Sequence, residues 1–197
     1  MQKSNLKRYG VIIGIIVVIV IASISSYNNL VNQQEQATTA WSNVETAYQR
    51  RADMMPQLVK IAKAYAKHEQ ETLTKVVEAR KQVASIKLDP TTMTAEQMKQ
   101  FQDAQGALSS ALTRLLAVSE RYPDLKANEN FRTLMVQEEG TENRISFARQ
   151  EYNEAVQSYN TSVRRFPSVI FAKLFGFNKM EKFTAQTEAE KAPDLDL

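Results

Sequence analysis

The chain opens with a long apolar run and continues as a polar chain whose apolar residues recur every three or four positions. No residue from Tyr9 to Gln34 carries a charge, and the segment VIIGIIVVIVIASI at 11–24 is almost purely aliphatic. As a helix, residues 9–26 would be about 27 Å long, close to the roughly 30 Å hydrocarbon core of a bilayer. The pattern therefore predicts a single N-terminal transmembrane helix. A cleaved signal peptide is the alternative, since a basic start and small residues after the apolar run fit one as well.

Beyond this segment the three-and-four spacing predicts helices, and no stretch alternates as a strand does. Pro90, Pro123 and Pro167 separate the helical stretches. The first stretch reads as one helix from Tyr27 to Ile86, with 27–50 as a stalk next to the membrane. Pro56 lies inside it and predicts a kink, because proline cannot donate to the carbonyl four residues earlier. Trp41 on the predicted stalk requires cover from elsewhere in the chain or from a second copy.

The predicted fold is all-α: one N-terminal transmembrane helix, then an antiparallel bundle of three long helices and a short C-terminal helix. Thr94 and Gln97 are spaced as a capping box at the start of the second bundle helix. The short apolar stretch SVIFAKLFGF at 168–177 ends at a glycine and is expected to cap the bundle, with contact to a membrane surface as the alternative. The predicted organisation is a basic flank at 1–8, the span at 9–26, the bundle with its stalk at 27–183, and a disordered polar tail at 184–197.

Charge bears on both topology and partners. The net charge of +3 comes from Lys3, Lys7 and Arg8, and the rest of the chain has 22 basic and 22 acidic residues. A body without net charge has no footprint for nucleic acid, so we expect no nucleic-acid partner. No basic residue follows the span until Arg50. The positive-inside rule therefore predicts a cytoplasmic N-terminus and an extracytoplasmic bundle in the inner membrane.

The composition offers little for catalysis. The chain has no cysteine and one histidine, His68, in a stretch that reads as helical. Di-iron bundles need Glu-x-x-His on two helices, and Tyr65 stands three residues before His68. No glycine-rich phosphate loop is present. We therefore expect no enzyme, no cofactor and no metal.

Charged residues interrupt the apolar positions of two helices. Such residues are costly to bury unless they pair, so we expect a polar layer between helices, for instance Arg51 or Arg80 with Glu138 or Glu142. Gly140 would let another helix or a long arginine approach closely. The alternative is a ligand or metal receptor site formed by the Arg50–Asp53 and Glu138–Arg144 clusters. The candidate residues for either role are Arg50, Arg51, Asp53, Glu69, Arg80, Glu138, Glu142, Asn143, Arg144 and Arg149.

Several stretches resemble the LemA proteins of bacterial envelopes. They are YNNLV at 27–31, WSNVETAYQRRADMMPQLVKIAKAYAKHE at 41–69, EAR at 78–80, SERYPDLKANENF at 119–131, EGTENRISFARQEYNEAVQSYN at 139–160, RFP at 165–167 and FGF at 175–177. The resemblance implies a single-pass anchor and a helical bundle, and it implies no defined activity. Members of that family usually read Asp-Leu-Ile-Pro where this chain has DMMP at 53–56, and they tend to have leucine where Glu138 stands.

Taken together, the sequence predicts a membrane-anchored, non-enzymatic bundle that acts as a scaffold or interaction partner in the cell envelope, with a protein partner or a second copy of itself. The alternative function is a bundle that senses a ligand or a metal through its Arg and Glu clusters.

Overall fold

The computed structural model describes the backbone of residues 2–184 and the side chains of residues 8–184. Regular structure within these residues is entirely α-helical, which confirms the predicted class. In chain order the helices are α1 (Gln2–Tyr65), α2 (Gln70–Ser85), α3 (Ala95–Arg121), α4 (Pro123–Ala127), α5 (Glu129–Arg164) and α6 (Ser168–Phe175). Thr184 is exposed and lies outside any helix, and the remainder of the predicted tail lies outside the described residues.

Helix α1 contains the apolar N-terminal segment and continues from it without a break. Near the N-terminus it is long and apolar enough to cross a membrane. The large aliphatic side chains from Val11 to Ile24 are exposed. Burial begins at Leu30, one turn beyond Tyr27, and continues at Ala37 and Trp41. One helix therefore joins the candidate span to the centre of the bundle.

The prediction of one helix from Tyr27 to Ile86 is wrong. The α-helix ends at Tyr65, and a turn over 66–69 leads into α2, which packs against both α1 and α3. His68 lies exposed in this turn and not on a helix. The apolar spacing does not reveal the break, because Ala62 before it, Ala66 at its start and Leu73 after it belong to the same core. No glycine or proline stands in the turn to signal it.

Helix α5 lies along α1, and their contacts run in opposite order. Trp41 contacts Tyr152, Arg51 bonds Glu142, and the Tyr65 hydroxyl accepts a hydrogen bond from Asn128 at the start of α5. Residue numbers thus rise along α1 as they fall along α5. The pairing extends over about 55 Å of α1, from the level of Arg164 to Tyr65. This pair of helices forms the long axis of the body.

Two apolar cores follow one another along this axis. The membrane-side core includes Leu30, Trp41, Phe101, Tyr152 and Phe183. The distal core is formed mainly by buried residues of α1 to α5, which include Met55, Leu58, Leu73, Val76, Leu108, Leu115, Leu125, Phe131 and Leu134. The boundary between the cores falls near Arg51.

The chain itself covers the segment at 27–50, so of the two sources of cover expected for Trp41 the structure shows the first. The Trp41 ring lies 5.5 Å from Phe101, 5.1 Å from Tyr152 and 5.8 Å from Phe183, measured between ring centroids. Phe183 reaches it because residues 177–184 run back along α5. Asn160 and Asn153 on α5 hold that segment through paired hydrogen bonds to the backbone of Met180 and Phe183.

Two predicted helix boundaries are confirmed. The Thr94 hydroxyl accepts from the Gln97 backbone, and the Gln97 side chain accepts from the Thr94 backbone, which is the reciprocal capping box. Gly176 ends α6 with a φ of 78°, a left-handed conformation that favours glycine.

Candidate functional site

A buried arginine occupies the boundary between the two cores. Arg51 is 1% exposed. Its Nη1 donates to Glu142 Oε2 at 2.8 Å and to Ser109 Oγ at 2.9 Å. Its Nη2 donates to Gln105 Oε1 at 2.8 Å and to the Gln105 carbonyl at 3.3 Å. One guanidinium on α1 therefore links α3 to α5, and we call this group the Arg51 layer: Arg51, Gln105, Ser109, Glu138 and Glu142.

The Arg51 layer is only partly satisfied. Within residues 8–184, no protein group bonds the buried atoms Arg51 Nε, Gln105 Nε2 and Glu138 Oε2. Burial raises the pKa of the Glu138 carboxyl; the Arg51 charge lowers it in part, and the Glu142 charge raises it further. Glu142 itself is solvated, with 57% of its side chain exposed. The layer thus combines a buried cation, one solvated carboxylate and one carboxylate with raised proton affinity.

A second arginine supports the helix where proline interrupts its hydrogen bonds. Pro56 lies inside α1 and leaves the Ala52 carbonyl without its usual donor. Arg80 on α2 supplies the missing donor, because its Nε bonds the Ala52 oxygen at 3.0 Å. Arg80 therefore bonds a backbone carbonyl and not a glutamate. Of the two arginines expected to pair with a glutamate, Arg51 is the one that does so, with Glu142. The kink at Pro56 remains a prediction.

The other candidate residues do not gather into one site. Glu69 lies at the far end of the bundle, where it bonds Arg121 Nη2 at 3.1 Å and accepts from the Tyr122 hydroxyl at 3.3 Å. Arg149 is half-buried, with its guanidinium 4.7 Å from the Phe183 ring centroid. Asp53 is exposed and accepts from Gln49 Nε2 at 2.8 Å. The remaining candidates are all exposed: Arg50, Asn143 and Arg144.

A surface cleft adjoins the Arg51 layer. It has a volume of about 910 Å³ and lies between α1, the end of α2 and α3. Gln105 and Tyr48 line it from the interior, and Arg50, Asp53 and Lys87 line it as well. Burial raises the pKa of the Tyr48 hydroxyl, against the effect of Arg149 and Arg51, so this group stays a neutral donor. The cleft therefore has an apolar wall, mixed charges and, in its lining residue Gln105, a side-chain nitrogen without a partner among residues 8–184.

The outer side of α5 carries a surface that the sequence reasoning missed. Phe147 is 61% exposed and Val136 is also exposed, although both are large apolar residues on a helix. Their separation of eleven residues is close to three helical turns, so both lie on one face with Gly140 and Asn143. The signal in the sequence is that Phe147 falls between the core positions Ile145 and Ala148.

The expected role of Gly140 inside the bundle is wrong. A Cβ placed at Gly140 would meet no atom of the described residues within 4 Å. Its missing side chain therefore opens space on the outside of α5, on the surface that we call the outer face: Val136, Gly140, Asn143 and Phe147.

Metal binding receives no support from the geometry. Within residues 8–184, no three His, Cys, Asp or Glu side chains converge as ion ligands would. The two carboxylates of the Arg51 layer, Glu138 and Glu142, both lie near the guanidinium of Arg51, a cation already present where a metal ion would have to bind.

Comparison with known proteins gives relatives that are named as magnetosome proteins and as a LemA protein. Magnetosome protein MamQ of Magnetospirillum gryphiswaldense is 28% identical over 174 residues, covering 80% of this chain and 64% of that protein. Magnetosome protein MamQ 2 of Paramagnetospirillum magneticum matches to the same extent. Protein LemA of Metamycoplasma hominis is 27% identical over 139 residues, covering 71% of this chain and 60% of that protein. The chain thus spans less than two thirds of the length of these curated relatives.

The family model described as LemA family matches residues 40–197. That range contains the Arg51 layer, the cleft and the outer face of α5. The resemblance seen in the sequence is therefore confirmed, and the chain belongs to the LemA family.

Proposed function

We propose that this protein is a membrane-anchored, non-enzymatic antiparallel helical bundle that holds a protein-binding surface at a fixed distance from the bilayer. One observation carries the proposal: α1 runs without interruption from the apolar segment into the centre of the bundle. A helix that is continuous across this junction transmits the position and tilt of the anchor to the body. The proposed setting is the cell envelope, with the N-terminus cytoplasmic and the bundle extracytoplasmic because the charged flank precedes the span.

The outer face of α5 is the proposed binding surface. The contacts between α1 and α5 put Phe147 at the level of Thr46, which is about 30 Å along the helix from Tyr27. An exposed phenylalanine costs solubility unless a partner covers it. Gly140, with no side chain, allows a helix to approach the α5 backbone closely. The proposed occupant is therefore a helix, from a second copy of this chain or from another envelope protein.

Site-specific photocrosslinking in intact membranes tests the proposal. A photoreactive residue at Phe147 should yield a defined adduct, and its mass would identify either a homodimer or a complex with another protein. The matched control is Val77, an exposed apolar residue on α2. Recovery of monomer alone at Phe147, or the same adducts at both positions, would refute a specific surface on α5.

A substitution at Gly140 separates binding from folding. The Cβ of Gly140→Leu would meet no described atom within 4 Å, and leucine favours helix over glycine by about 1 kcal/mol. The variant should therefore be at least as stable as the native chain and should lose the Phe147 adduct. An undiminished adduct would show that no helix approaches the backbone there.

The cleft favours a second candidate function, ligand sensing. The specific observation is that Gln105 lines the cleft while its buried Nε2 has no partner among residues 8–184. A thermal-shift screen of the full chain in detergent would test this function, with elemental analysis to detect a metal. A stabilising compound should lose its effect in Gln105→Met and in Glu142→Gln. Lower stability in these variants with the compound's shift intact would assign the layer a purely structural role.

A further inference from the structure

The short helix α6 lies at the membrane end of the bundle. Helix α5 ends at Arg164, opposite the start of α1 burial at Leu30, and the chain then turns into α6. The Tyr27 ring lies 5.1 Å from Phe175 and 5.6 Å from Phe177, measured between ring centroids. Because Tyr27 directly follows the candidate span, α6 lies beside the point where α1 would leave the bilayer.

Helix α6 only partly caps the bundle. Ala172 is its buried residue, while Phe166 is 76%, Ile170 55% and Leu174 72% exposed. Ile170 and Leu174 lie one helical turn apart on the same side of α6, and Phe166 is exposed in the turn before the helix; we call these three residues the strip. The strip is apolar, and within the described part of the chain nothing covers it.

Basic residues precede the strip, lie within α6 and follow it along the chain. Residues 164–182 contain five basic side chains, Arg164, Arg165, Lys173, Lys179 and Lys182, against one acidic side chain, Glu181. In the sequence, no basic residue lies between the span and Arg50. Folding brings this basic segment close to the span, because Phe175 and Phe177 contact Tyr27. An apolar strip flanked by cations is the pattern of a helix that lies in the headgroup region of an anionic bilayer.

We propose that α6 is a second membrane contact, which inserts Phe166, Ile170 and Leu174 at the bilayer surface and binds anionic phospholipid headgroups through the neighbouring basic side chains. This inference rests on the proposed membrane anchor. Phe175 of α6 contacts Tyr27, which follows the exposed apolar surface of α1 that reaches Ile24, and this continuity favours lipid over a protein occupant. With contacts at α1 and α6, the bundle is held at two points and its rotation about the α1 axis is restricted.

Depth measurement by fluorescence quenching tests the contact. The chain has no cysteine, so single-cysteine variants of the full protein can be labelled with an environment-sensitive dye without other changes. The test sites are Leu174→Cys and Ile170→Cys on α6. Ile16→Cys in the span is the positive control, and Phe147→Cys on α5 is an equally exposed control about 30 Å away. The proteins are reconstituted into vesicles of phosphatidylcholine, with and without phosphatidylglycerol, that contain quencher-bearing lipids. The emission of Trp41 verifies the fold of each variant.

The expected result is quenching at Leu174, Ile170 and Ile16 and none at Phe147, with several-fold stronger quenching on α6 when phosphatidylglycerol is present. Arg165→Glu with Lys173→Glu should remove this dependence on anionic lipid. An unquenched Leu174 label beside a quenched Ile16 label would overturn the second contact and leave the anchor intact. Equal quenching in both lipid mixtures would overturn the headgroup recognition. An unquenched Ile16 label would instead overturn the anchor, and with it the proposed function.

Discussion

Substitution of the buried arginine tests how the Arg51 layer contributes to stability. Arg51→Met keeps a long side chain at the boundary of the two cores and removes all four hydrogen bonds of the guanidinium. Its former partners differ in their access to water. Glu142 is more than half exposed and can be hydrated, whereas Gln105 is buried and its Oε1 would lose its donor.

The expected cost depends on that difference. A buried acceptor without a partner costs about 1–3 kcal/mol. Methionine restores most of the apolar packing and removes the desolvation penalty of the cation. We therefore expect Arg51→Met to lower the free energy of unfolding by about 2 kcal/mol. With a denaturant slope of about 2 kcal/mol per molar urea, the urea midpoint should fall by about 1 M.

A second substitution isolates the cause. Gln105→Met alone removes an acceptor from the buried cation and should cost about 2 kcal/mol. In the double variant neither group is left unsatisfied, so its stability should return to within about 1 kcal/mol of the native chain. The measurement is equilibrium urea unfolding of the full chain in detergent micelles, followed by the fluorescence of Trp41, the sole tryptophan, which is buried in the membrane-side core. A double variant whose loss equals the sum of the two single losses would refute the reasoning.

Three further predictions concern neighbouring groups. Glu138→Gln should stabilise the chain by about 1 kcal/mol near pH 7, because it removes a negative charge that burial disfavours and keeps the size of the side chain. Since the pKa of Glu138 is raised in the folded state, the native carboxylate lowers stability as pH rises through that pKa, and the gain should vanish in unfolding measurements at acidic pH; a gain that grows on acidification would contradict this sign. Arg80→Met should cost about 1–2 kcal/mol, and clearly less in a Pro56→Ala background, where the alanine N–H can bond the Ala52 carbonyl; equal costs in both backgrounds would mean that Arg80 does not compensate for the proline. Thr94→Ala should lower the urea midpoint by the equivalent of about 1 kcal/mol through loss of the cap, and no change would show that the capping box is not formed in solution.

The helical class and several boundaries could be read from the sequence because they depend on local signals. The spacing of apolar residues by three and four predicts helices, the Thr94–Gln97 pair predicts the start of α3, and Gly176 predicts the end of α6. The turn after Tyr65 could not be read, because the core residues on its two sides keep a helical spacing and no breaker residue interrupts them. The spacing of apolar residues therefore does not indicate that the chain turns at 66–69.

The sequence predicts which types of residue form the candidate site better than it predicts their hydrogen-bond partners. A charge at an apolar position identifies Arg51, and the need for compensation suggests a glutamate. Nothing in the sequence identifies Gln105, because a glutamine on α3 has no pattern that distinguishes a buried one from the exposed ones. The cover over Trp41 depends on residues 177–184 folding back along α5, a long-range contact that only the structure gives.

The structure also separates the residues of α5 that face the bundle interior from those proposed to bind a partner. Glu142 turns inward to Arg51, while Gly140, Asn143 and Phe147 face outward. A stability assay on the Arg51 layer and a crosslinking assay on the outer face therefore report on independent parts of one helix. Variants of one surface should leave the readout of the other unchanged, since the two sets of residues share no hydrogen bond among the described side chains.

We propose that α1 joins the anchor to the bundle as one uninterrupted helix and that its apolar segment remains in the membrane. The intact mass of the protein recovered from carbonate-washed membranes tests this most directly. We predict a carbonate-resistant protein whose mass includes the apolar segment at 9–26. A soluble protein shortened by roughly 15–30 N-terminal residues would contradict it, because the apolar segment would then be a cleaved signal peptide.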